Sequence, residues 1–548
     1  MPVGRDAFAV SPPAKPVVGR FAKRSARHRA VLRQAERSRP FPTVPVLSGL
    51  RLLASNSTAY PAVVSLFTIT SADTPGPPPP SPRQGESMTD TIAAVATPAG
   101  TGGVGVIRVS GPLSPGILSE IFRPKPAGAP PAPRLMRYGH VLDASGGVID
   151  EVLAVYMPAP HSYTAEDVAE IHCHGGVVVT EAVLRRVLEC GARIAEPGEF
   201  TRRAFLNGRI DLTRAEAVID VINSRTDMAR RAAVNRLKGG LFERINAQRR
   251  RLLDLIADIE VSIDYPEHDM ETQNLRSAAE TAGEILAGLR ALLAGFETGS
   301  ALQNGVNAVI AGKPNVGKSS LMNALLMSDR AIITDTAGTT RDVLRERVSL
   351  GNIPLNLSDT AGIRPAEELE NAAERIGVEK AGDEIRQADI VLLVLDASRP
   401  PDAVDLRLLA DTAGKRRLIL LNKSDLPRAA GIDDTVTAYH IEPENVISVC
   451  ARTGEGLDAL RGRLERLFLQ GRLPQNEELF VSNLRHKNLL EQAAAALERA
   501  LAAIAAGLPE DFVSQDLQAA FRRLGEIIGE DVSDAISDAI FSRFCLGK

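Results

Sequence analysis

The stretch NAVIAGKPNVGKSSLMNALL, residues 307–326, decides the fold of the central part of this chain. An apolar run that ends at Ala311 is typical of a buried strand, and an apolar-periodic helix follows the glycine-rich segment. Between them, Gly312 to Ser319 match the pattern G-x-x-x-x-G-K-S, in which backbone N–H groups close around phosphate oxygens. Lys318 is predicted to reach the terminal phosphates and the Ser319 hydroxyl to bind Mg²⁺. The strand, loop and helix together predict a nucleoside triphosphate site.

Two nearby segments predict the contacts with the metal and the γ-phosphate. IPLNLSDTAG (353–362) alternates like a strand and ends in Asp359, which can hold Mg²⁺ through water, while the N–H of Gly362 can meet the γ-phosphate. ITDTAGTTRD (333–342) lies between the phosphate loop and this strand, where a first switch loop is expected. Thr340 is placed there to complete the Mg²⁺ shell.

Two later segments predict which base is bound. LILLNKSD (418–425) is an apolar strand that ends in Asp425, and a carboxylate there accepts hydrogen bonds from N1–H and N2–H of guanine, which adenine does not offer. ISVCARTGEG (447–456) supplies a last loop that is expected to touch the base. Four segments in this order predict a Ras-like GTPase domain with a mostly parallel α/β sheet at about residues 303–471. The predicted nucleotide contacts are Asn315, Val316, Gly317, Lys318, Ser319, Ser320, Thr334, Asp335, Thr336, Ala337, Gly338, Thr339, Thr340, Asp359, Thr360, Ala361, Gly362, Asn422, Lys423, Asp425, Cys450, Ala451 and Arg452.

One position departs from Ras-type GTPases. In those proteins a Gln follows the D-T-A-G segment and orients the attacking water, but Ile363 stands at that place in this chain and cannot do so. Another group must therefore position the nucleophile and stabilise the charge of the transition state. Arg341 and Arg364 are cations of this region that the sequence offers for the second task.

The composition is that of an ordinary globular chain with an uneven charge. The 548 residues are 44% hydrophobic and 24% charged, and no uninterrupted apolar run of membrane-spanning length occurs, so no membrane span is predicted. Residues 1–87 carry 12 Lys and Arg against 4 Asp and Glu, a net charge of +8. Because the whole chain has a net charge of -4, residues 88–548 carry a net charge of about -12. Such an acidic body favours nucleic-acid binding only through a local patch or a partner. Four scattered cysteines, Cys173, Cys190, Cys450 and Cys545, indicate a reducing compartment rather than a disulfide framework.

The first 87 residues differ from the rest of the chain. RFAKRSARHRAVLRQAERSR is Arg-rich and TPGPPPPSPRQGES is Pro-rich, which predicts a disordered extension or a start site placed too early, with Met88 as the true start. An organellar transit peptide has a similar composition, so a mitochondrial location is the alternative to a cytoplasmic one.

Helix-periodic apolar patterns flank the GTPase segment on both sides, at residues 213–265 and 483–505. A helical domain that is split by an inserted GTPase domain explains both blocks, because insertion is tolerated where chain ends lie close together. Two unrelated helical appendages are the alternative that the pattern leaves open.

The flanks resemble one family of GTPases closely. The N-terminal part carries ATPAGTGGVGVIRVSGP (96–112), SYTAEDVAEIHCHGG (162–176) and PGEFTRRAFLNGRIDLTRAEAVIDVI (197–222), and the chain ends in IFSRFCLGK (540–548). Together with GKPNVGKSSLMNAL, TDTAGTTRD and DTAGIR, these segments are similar to the MnmE/TrmE family, the bacterial tRNA uridine-modification GTPases. The resemblance covers essentially all of residues 88–548.

This resemblance implies a multidomain α/β and α fold. The implied parts are an N-terminal α+β domain at 88–207 that binds folate and forms the homodimer, a helical domain split into 208–302 and 472–548, and the inserted GTPase domain. The implied function is potassium-dependent GTP hydrolysis, together with a flavin-dependent MnmG-type partner in a heterotetramer. The implied product is an aminomethyl or carboxymethylaminomethyl group on C5 of the wobble uridine of certain tRNAs. The implied one-carbon donor is 5-formyltetrahydrofolate or methylenetetrahydrofolate.

The resemblance also implies what replaces the missing Gln. The family's potassium ligands correspond to Asn315, Thr334, Thr336 and Thr339. A monovalent cation at Asn315 would supply positive charge in the transition state and make this residue part of the catalytic set. Glu374 matches the family's water-positioning Glu, with Glu370 as the alternative residue and a solvated helix-face carboxylate as the alternative role.

The family's folate positions fall on Arg108, Glu170, Arg209 and Lys548. A carboxylate can pair with the amide-like edge of a pterin, and a basic residue can meet the glutamate tail, although each of these residues taken singly is an ordinary surface charge or ion-pair partner. In the neighbouring HCHGG, His172 and His174 would share one strand face, which makes only half of a zinc site. That segment is therefore interpreted as a strand end and a Gly-Gly turn.

The final segment, FCLGK, raises the question of what Cys545 does. Gly547 and Lys548 disfavour prenylation, and the preceding DVSDAISDAIFSRF is an apolar-periodic helix, so the tail is expected to be docked. In the family this tail points towards the folate pocket, which implies a catalytic role for Cys545 near the modification chemistry. A buried structural cysteine is the alternative.

The main alternative function is an RNA- or ribosome-binding GTPase switch without modification chemistry. It predicts an appended RNA-binding module, such as a KH domain with its GXXG loop, and the sequence after residue 471 has no such segment. A dimerising scaffold that uses GTP only to change shape overlaps with the leading hypothesis and stays open.

Overall fold

The computed structural model describes residues 90–126, 132–264, 271–328, 346–359, 382–469, 480–530, 532–545 and 547. The described residues all belong to one of the two units into which the chain divides, residues 75–548. The predicted extension at 1–87 and the predicted first switch loop lie outside the described residues.

The N-terminal part is a seven-stranded sheet with two helices packed on one face. Its strands are β1 (Ile92–Val95), β2 (Val104–Ser110), β3 (Phe122–Pro124), β4 (Arg137–Leu142), β5 (Val148–Met157), β6 (Val168–His174) and β7 (Arg193–Ile194), in the spatial order β3-β4-β5-β6-β2-β1-β7. Only the β1–β7 pair is parallel. Helices α1 (Ser114–Ile121) and α2 (Val177–Glu189) bury Ile117 and Val183 against the apolar face of this sheet. The α+β arrangement predicted for this part is therefore present, and HCHGG is a strand end as interpreted.

Six helices lead from this sheet to the nucleotide-binding part. They are α3 (Glu199–Leu206), α4 (Leu212–Asn223), α5 (Asp227–Leu237), α6 (Gly240–Asp264), α7 (Glu271–Ala294) and α8 (Phe296–Asn304). The side chains of Asp211 and Thr226 cap α4 and α5 by accepting a backbone N–H in the first turn of each helix. Helix-periodic apolar residues were expected at 213–265, and that prediction is confirmed.

The nucleotide-binding part is a six-stranded sheet between layers of helices. Its elements are β8 (Val306–Ala311), α9 (Lys318–Ser328), β9 (Glu346–Leu350), β10 (Ile353–Asp359), β11 (Ile390–Asp396), α10 (Ala403–Asp411), β12 (Arg417–Asn422), α11 (Ile432–Ala438), β13 (Val446–Ser448) and α12 (Leu457–Phe468). The strand order is β13-β12-β11-β8-β10-β9, and only β9 runs antiparallel to its neighbour. Every residue of β11 is buried, as expected for a central parallel strand covered on both faces.

Helices from both sides of the nucleotide-binding part share one hydrophobic core. The last elements are α13 (Leu484–Ala505), α14 (Glu510–Ile528) and α15 (Asp534–Phe541). Leu252 of α6 and Ile285 of α7 lie in the same buried cluster as Leu490 of α13 and Leu517 of α14. The two helical blocks are thus one packed body, and the alternative of two unrelated appendages is wrong.

One segment of the described chain, 275–304, is long and apolar enough to cross a membrane when only length and composition are considered. In the structure 44% of its most apolar window is buried inside the protein, and Ile285 and Leu289 pack into the shared helical core. A helix of a hydrophobic core passes the same test, so this segment is weak evidence for a membrane span.

Candidate functional site

The phosphate loop follows β8 and has the shape that its sequence requires. Gly317 has a φ of +103°, and a Cβ at this position would lie 2.2 Å from Nδ2 of Asn422. Lys318 begins α9, and its ammonium donates to the carbonyl oxygens of Gly312 at 2.8 Å and Lys313 at 3.0 Å. The positive charge is therefore held across the loop at the N-terminus of a helix, where an anion is favoured.

Asn422, at the end of β12, connects the phosphate loop to the base loop. It is 3% exposed, its Nδ2 donates to the Val316 carbonyl at 2.8 Å, and its Oδ1 accepts from the Ala451 N–H at 3.0 Å. One buried amide therefore sets the spacing between the two ends of the nucleotide site. Asn422 was predicted from the sequence to contact the nucleotide. Its hydrogen bonds to the two loops were not predicted.

Asp425 has two donors in the structure. The Cys450 thiol donates to Oδ1 at 3.2 Å, and the Arg452 guanidinium donates to Oδ2 at 2.8 Å. The hydrogen bond from Cys450, together with that from Arg452, holds the pKa of the Asp425 carboxyl below its usual range. The three residues predicted from two separate segments thus meet at one point, with a carboxylate that stays ionised.

Two further lysine pairs stabilise this edge of the sheet. The Lys423 ammonium lies 2.5 Å from Oδ2 of Asp396; burial acts to raise the pKa of Asp396, but Lys423 keeps it lowered. Lys313 lies 2.8 Å from Asp402 and 2.6 Å from Asp405, and these carboxylates raise its pKa although burial acts in the opposite direction. The acidic partners were not predicted from the sequence, because they lie in other elements: Asp396 ends β11, and Asp402 and Asp405 lie at the start of α10.

Two of the residues predicted to bind Mg²⁺, Ser319 and Asp359, belong to the first turn of α9 and to the end of β10. Ser319 and Ser320 are exposed in the first turn of α9, and Asp359 ends β10 directly beside Ile310 of β8 in parallel register. An exposed hydroxyl in the first turn of this helix fits Mg²⁺, which prefers oxygen ligands. Asn315 has a φ of +66°, is exposed, and its side chain makes no hydrogen bond with the described residues, so its amide oxygen is available to a cation.

A second cluster lies on the N-terminal sheet. Arg108 of β2 and Glu170 of β6 are cross-strand neighbours, and Nε of Arg108 donates to Oε1 of Glu170 at 2.8 Å. The guanidinium carbons of Arg108 and Arg209 each lie 5.1 Å from the ring centre of Tyr163. The guanidinium carbon of Arg108 also lies 5.7 Å from the ring centre of Phe200. Two of the four predicted folate residues, Arg108 and Arg209, thus lie at one aromatic ring, and a third, Glu170, pairs with Arg108. A flat, anionic ligand suits this combination of rings, cations and a carboxylate.

The C-terminal tail reaches the same cluster. Phe541 and Phe544 are 2% and 5% exposed, and Gly547 packs so closely that a Cβ would lie 2.3 Å from the Val95 carbonyl oxygen. The Gly547 carbonyl accepts from Arg108 at 3.5 Å, so Gly547 lies beside one of the predicted folate residues. Cys545 is exposed, and the alternative of a buried structural cysteine is therefore wrong.

Comparisons with known proteins agree with this geometry. Residues 91–209 match the family model for the GTP-binding protein TrmE N-terminus, and residues 212–545 match that for the MnmE helical domain. The tRNA modification GTPase MnmE of Lactobacillus delbrueckii subsp. bulgaricus is 45% identical over 84% of this chain and 98% of its own length. The proteins of the same name from Acetivibrio thermocellus and Carboxydothermus hydrogenoformans are also 45% identical over 84% of this chain, and 99% and 100% of their own lengths are covered.

The chain belongs to the MnmE/TrmE family of tRNA modification GTPases.

Among solved structures, the chain is similar to an Era variant of Aquifex aeolicus bound to GDP·AlF4⁻, with 25% identity over 35% of this chain and 66% of that chain and a TM-score of 0.23. It is also similar to Era in complex with MgGDPNP and a segment of 16S ribosomal RNA, with 21% identity over 44% of this chain and 99% of that chain and a TM-score of 0.24.

In this MnmE/TrmE family member, the rings of Tyr163 and Phe200 contact Arg108, and neither residue was predicted from the sequence. Both stand inside the quoted motifs SYTAEDVAEIHCHGG and PGEFTRR, so an aromatic residue within a charged motif was the available signal. His172 lies next to Glu170: its Nε2 is buried without a hydrogen bond, 3.5 Å from Glu170 Oε2. Among the described residues there is no cluster of three or more His, Cys, Asp and Glu side chains that could hold a metal ion.

Several predicted site residues lie outside the described part of this MnmE/TrmE chain. They are Thr334, Asp335, Thr336, Ala337, Gly338, Thr339, Thr340, Thr360, Ala361, Gly362, Glu374 and Lys548, together with the alternative Glu370. Their assignments stay predictions.

Proposed function

We propose that this chain hydrolyses GTP as part of tRNA modification, and that it is a potassium-dependent enzyme acting on the wobble uridine with a folate one-carbon donor. The observation that supports the GTPase assignment is the position of Lys318, Asn422 and Asp425 at the carboxyl ends of the parallel strands β8 and β12. Membership of the MnmE/TrmE family supports the link to tRNA.

In the proposed reaction, this chain's own groups bind and orient GTP. The backbone N–H groups after Gly312 and the Lys318 ammonium hold the phosphates, and Asp425 selects guanine. Ser319, Thr340 and Asp359 are the proposed Mg²⁺ residues, and Mg²⁺ would neutralise charge on the β- and γ-phosphates. Glu374, or Glu370, is proposed to orient the attacking water, since Ile363 offers no polar group.

Potassium is the proposed source of the remaining positive charge. Asn315 is exposed at the turn of the phosphate loop, and its side chain is free of hydrogen bonds to described residues, which supports its assignment as a ligand. Thr334, Thr336 and Thr339 are the proposed further ligands. A monovalent cation in this position would stabilise charge that accumulates between the phosphates during cleavage.

The proposed folate site is the cluster of Arg108, Glu170 and Arg209 around Tyr163, with Lys548 as the fourth residue. A pterin could stack on the ring while the cations meet the glutamate tail. Proximity of the tail to Arg108 supports a role of Cys545 in the modification step. The proposed assembly is a homodimer through 88–207 that joins an MnmG-type partner in a heterotetramer.

The domain boundaries proposed are 88–207, 208–302, 303–471 and 472–548, with the two helical parts united by their shared core. The cytoplasm is the proposed location. All four cysteines are free, which supports a reducing compartment.

Mass spectrometry of tRNA nucleosides tests the proposed function. A strain that lacks this gene should lose the C5-modified wobble uridines, and a copy of the wild-type gene should restore them. A copy encoding Lys318→Ala is the matched control, because it removes the phosphate-binding ammonium and should not restore the modification. Intact modification in the deletion strain would contradict the proposal and favour an RNA-binding GTPase switch.

A further inference from the structure

A cavity of about 580 Å³ lies between the start of α4, the middle of α6 and the end of α14, outside the sites described above except for Arg209. Its volume is within the range of small-molecule sites, roughly 300–1,000 Å³. The side chains that line it and matter most are Phe205, Asp211, Arg214, Phe242, Asn246 and Arg250.

The cavity contains polar groups that the protein itself does not satisfy. Asn246 is 8% exposed, and its side-chain amide makes no hydrogen bond with the described residues. Nε of Arg249 is also buried without a hydrogen bond, although the terminal nitrogens of this guanidinium pair with Glu530. Oδ2 of Asp211 has an ionic partner, Nε of Arg214 at 3.2 Å. Because buried polar groups are nearly always paired, such a group at a cavity wall indicates that a ligand completes the pairing.

Flat cationic and aromatic surfaces form the rest of the wall. The Arg249 guanidinium lies 4.3 Å from the ring centre of Phe521, and that of Arg214 lies 5.5 Å from the ring centre of Phe242. Arg250 is exposed at the cavity. Four arginines against Asp211 and Glu530 make the lining basic, whereas the chain after residue 87 is acidic as a whole. Rings and guanidinium planes stack on bases, and arginines bind phosphates.

We propose that this cavity binds one unstacked nucleotide of the tRNA substrate, with Asn246 pairing with the edge of the base and Arg250 contacting a phosphate. A carboxamide offers one acceptor and two donors, which matches the N3–H and carbonyl edge of uracil. This inference rests on the proposed function for the identity of the RNA.

The location of the cavity connects it to the C-terminal tail. Phe205 lines the cavity and lies 6.3 Å, ring centre to ring centre, from Phe541, which in turn lies 5.5 Å from Phe544. The residue after this aromatic row is Cys545, which is exposed. A nucleotide in the cavity would therefore be separated from the tail by one layer of packed rings.

Fluorescence anisotropy with the full chain tests the proposal. The probes are a labelled anticodon stem-loop RNA with uridine at the wobble position and the same RNA with an abasic site there. Wild-type protein should bind the uridine RNA about tenfold more tightly, since stacking and pairing of one base contribute roughly 1–3 kcal/mol. Asn246→Ala should reduce this preference without a change in salt dependence. Arg250→Gln should weaken binding of both RNAs and lower the salt slope by about one.

Arg251→Gln is the matched control, because Arg251 is the next residue of α6 but pairs with Glu284 and does not line this cavity. It should leave both affinities unchanged. Thermal melting reports whether each variant folds; if Asn246→Ala melts early, Asn246→Asp removes the donors at nearly the same volume. Equal affinity of the wild type for the two RNAs, or equal effects of Arg250→Gln and Arg251→Gln, would overturn the proposal.

Two further outcomes identify a different occupant. If free UMP binds in a way that depends on Asn246 and Arg250 but the stem-loop does not bind, the assignment to RNA is overturned. If the same variants lose folate binding, the cavity belongs to the folate site. Absence of tRNA modification from the wild-type gene would contradict the proposed function instead, whatever the RNA affinities are.

Discussion

At the scale of single residues, Asp425, the residue proposed to select guanine, is held by two neighbouring side chains. Its two oxygens are engaged by the Cys450 thiol and the Arg452 guanidinium, and both contacts favour the ionised carboxylate. The thiol fixes the carboxylate from the buried side, while Arg452 approaches from solvent with a side chain that is 78% exposed. Binding of guanine must therefore displace or share the exposed partner, and the buried one can stay in place.

Asp425→Asn should weaken binding of GDP by about 100-fold or more, because two hydrogen bonds to a charged acceptor are lost at roughly 1.5–3 kcal/mol each and the new amide donor opposes the 2-amino group of guanine. Equilibrium binding of a fluorescent GDP analogue measures the change. Xanthosine diphosphate is the control ligand, since its C2 carbonyl accepts from the new amide and its affinity should rise. Unchanged GDP affinity would mean that Asp425 does not contact the base.

Asn315 determines, on the proposed function, whether hydrolysis responds to potassium. GTP turnover should rise strongly when sodium is replaced by potassium at equal ionic strength, and Asn315→Ala or Asn315→Lys should remove this dependence. Steady-state phosphate release measures turnover, and GDP affinity shows that the site is still formed. Turnover that is indifferent to the cation in the wild type would instead direct attention to Arg341 and Arg364.

At the scale of elements, the tail is a short helix anchored by rings. Helix α15 packs Phe541 and the following Phe544 against Leu212 and Ala215 of α4, and Gly198 permits this approach because a Cβ there would lie 2.5 Å from the Phe541 carbonyl oxygen. Gly547 has a φ of +87° and lies against Val95. The residues that anchor the tail are thus distinct from the exposed Cys545, and the two can be changed separately.

Cys545→Ser, or removal of residues 545–548, should leave GTP hydrolysis near the wild-type rate while tRNA modification falls sharply, because the ring anchor is retained. Phosphate release and nucleoside mass spectrometry measure the two activities. Phe544→Ala is the structural comparison: it should lower the melting temperature, since truncation of a buried Phe costs about 3–5 kcal/mol. Wild-type modification by both tail variants would show that the tail only packs.

At the scale of the whole molecule, a buried ionic network lies where the chain enters and leaves the GTPase part. Glu216 of α4 accepts from Arg485 at 3.0 Å and lies 2.6 Å from Nε2 of His486, both at the start of α13. Arg236 of α5 pairs with Asp220 at 2.7 Å and donates to the carbonyl of Phe480. The helices before the insertion are therefore tied to the segment that returns from it.

This network makes stability depend on pH. Burial acts to raise the pKa of Glu216, but His486 and Arg485 hold it at about 2, below its usual value. A lowered pKa stabilises the fold above the unfolded pKa, so this contribution is present near pH 5 and lost progressively as pH falls towards about 2. The unfolding temperature of the helical core should fall over this range in calorimetry.

Glu216→Gln is the variant that assigns this pH dependence. It should lower stability at neutral pH, by roughly 3–5 kcal/mol, because Arg485 and His486 lose a buried partner. It should also flatten the acid limb of the stability profile. The nearby Asp220 has the opposite effect on the pH dependence of stability, since burial raises its pKa above the usual range despite Arg236. Asp220 is present in both the wild type and the variant, so its contribution should cancel in the comparison. If the wild type and Glu216→Gln lose stability equally steeply as pH falls, the loss must be assigned to other carboxyl groups.

The sequence alone determined the fold class and the candidate contacts of the nucleotide-binding part of this molecule. Phosphate and guanine recognition use short contiguous segments, and their backbone geometry is local, as in the turn at Gly317 and the strand end at Asn422. The order of these segments along the chain predicted the mostly parallel sheet, and helix periodicity predicted the blocks at 213–265 and 483–505.

Only the tertiary structure decided which distant residues meet. Arg108 contacts Gly547, 439 positions later, and Arg209 reaches Tyr163, although nothing in the local pattern of these segments specifies the pairing. The shared helical core and the cavity beside Asn246 are likewise products of packing. The physical reason is that a motif determines its own backbone, whereas contacts between elements depend on how all of their apolar faces are buried together.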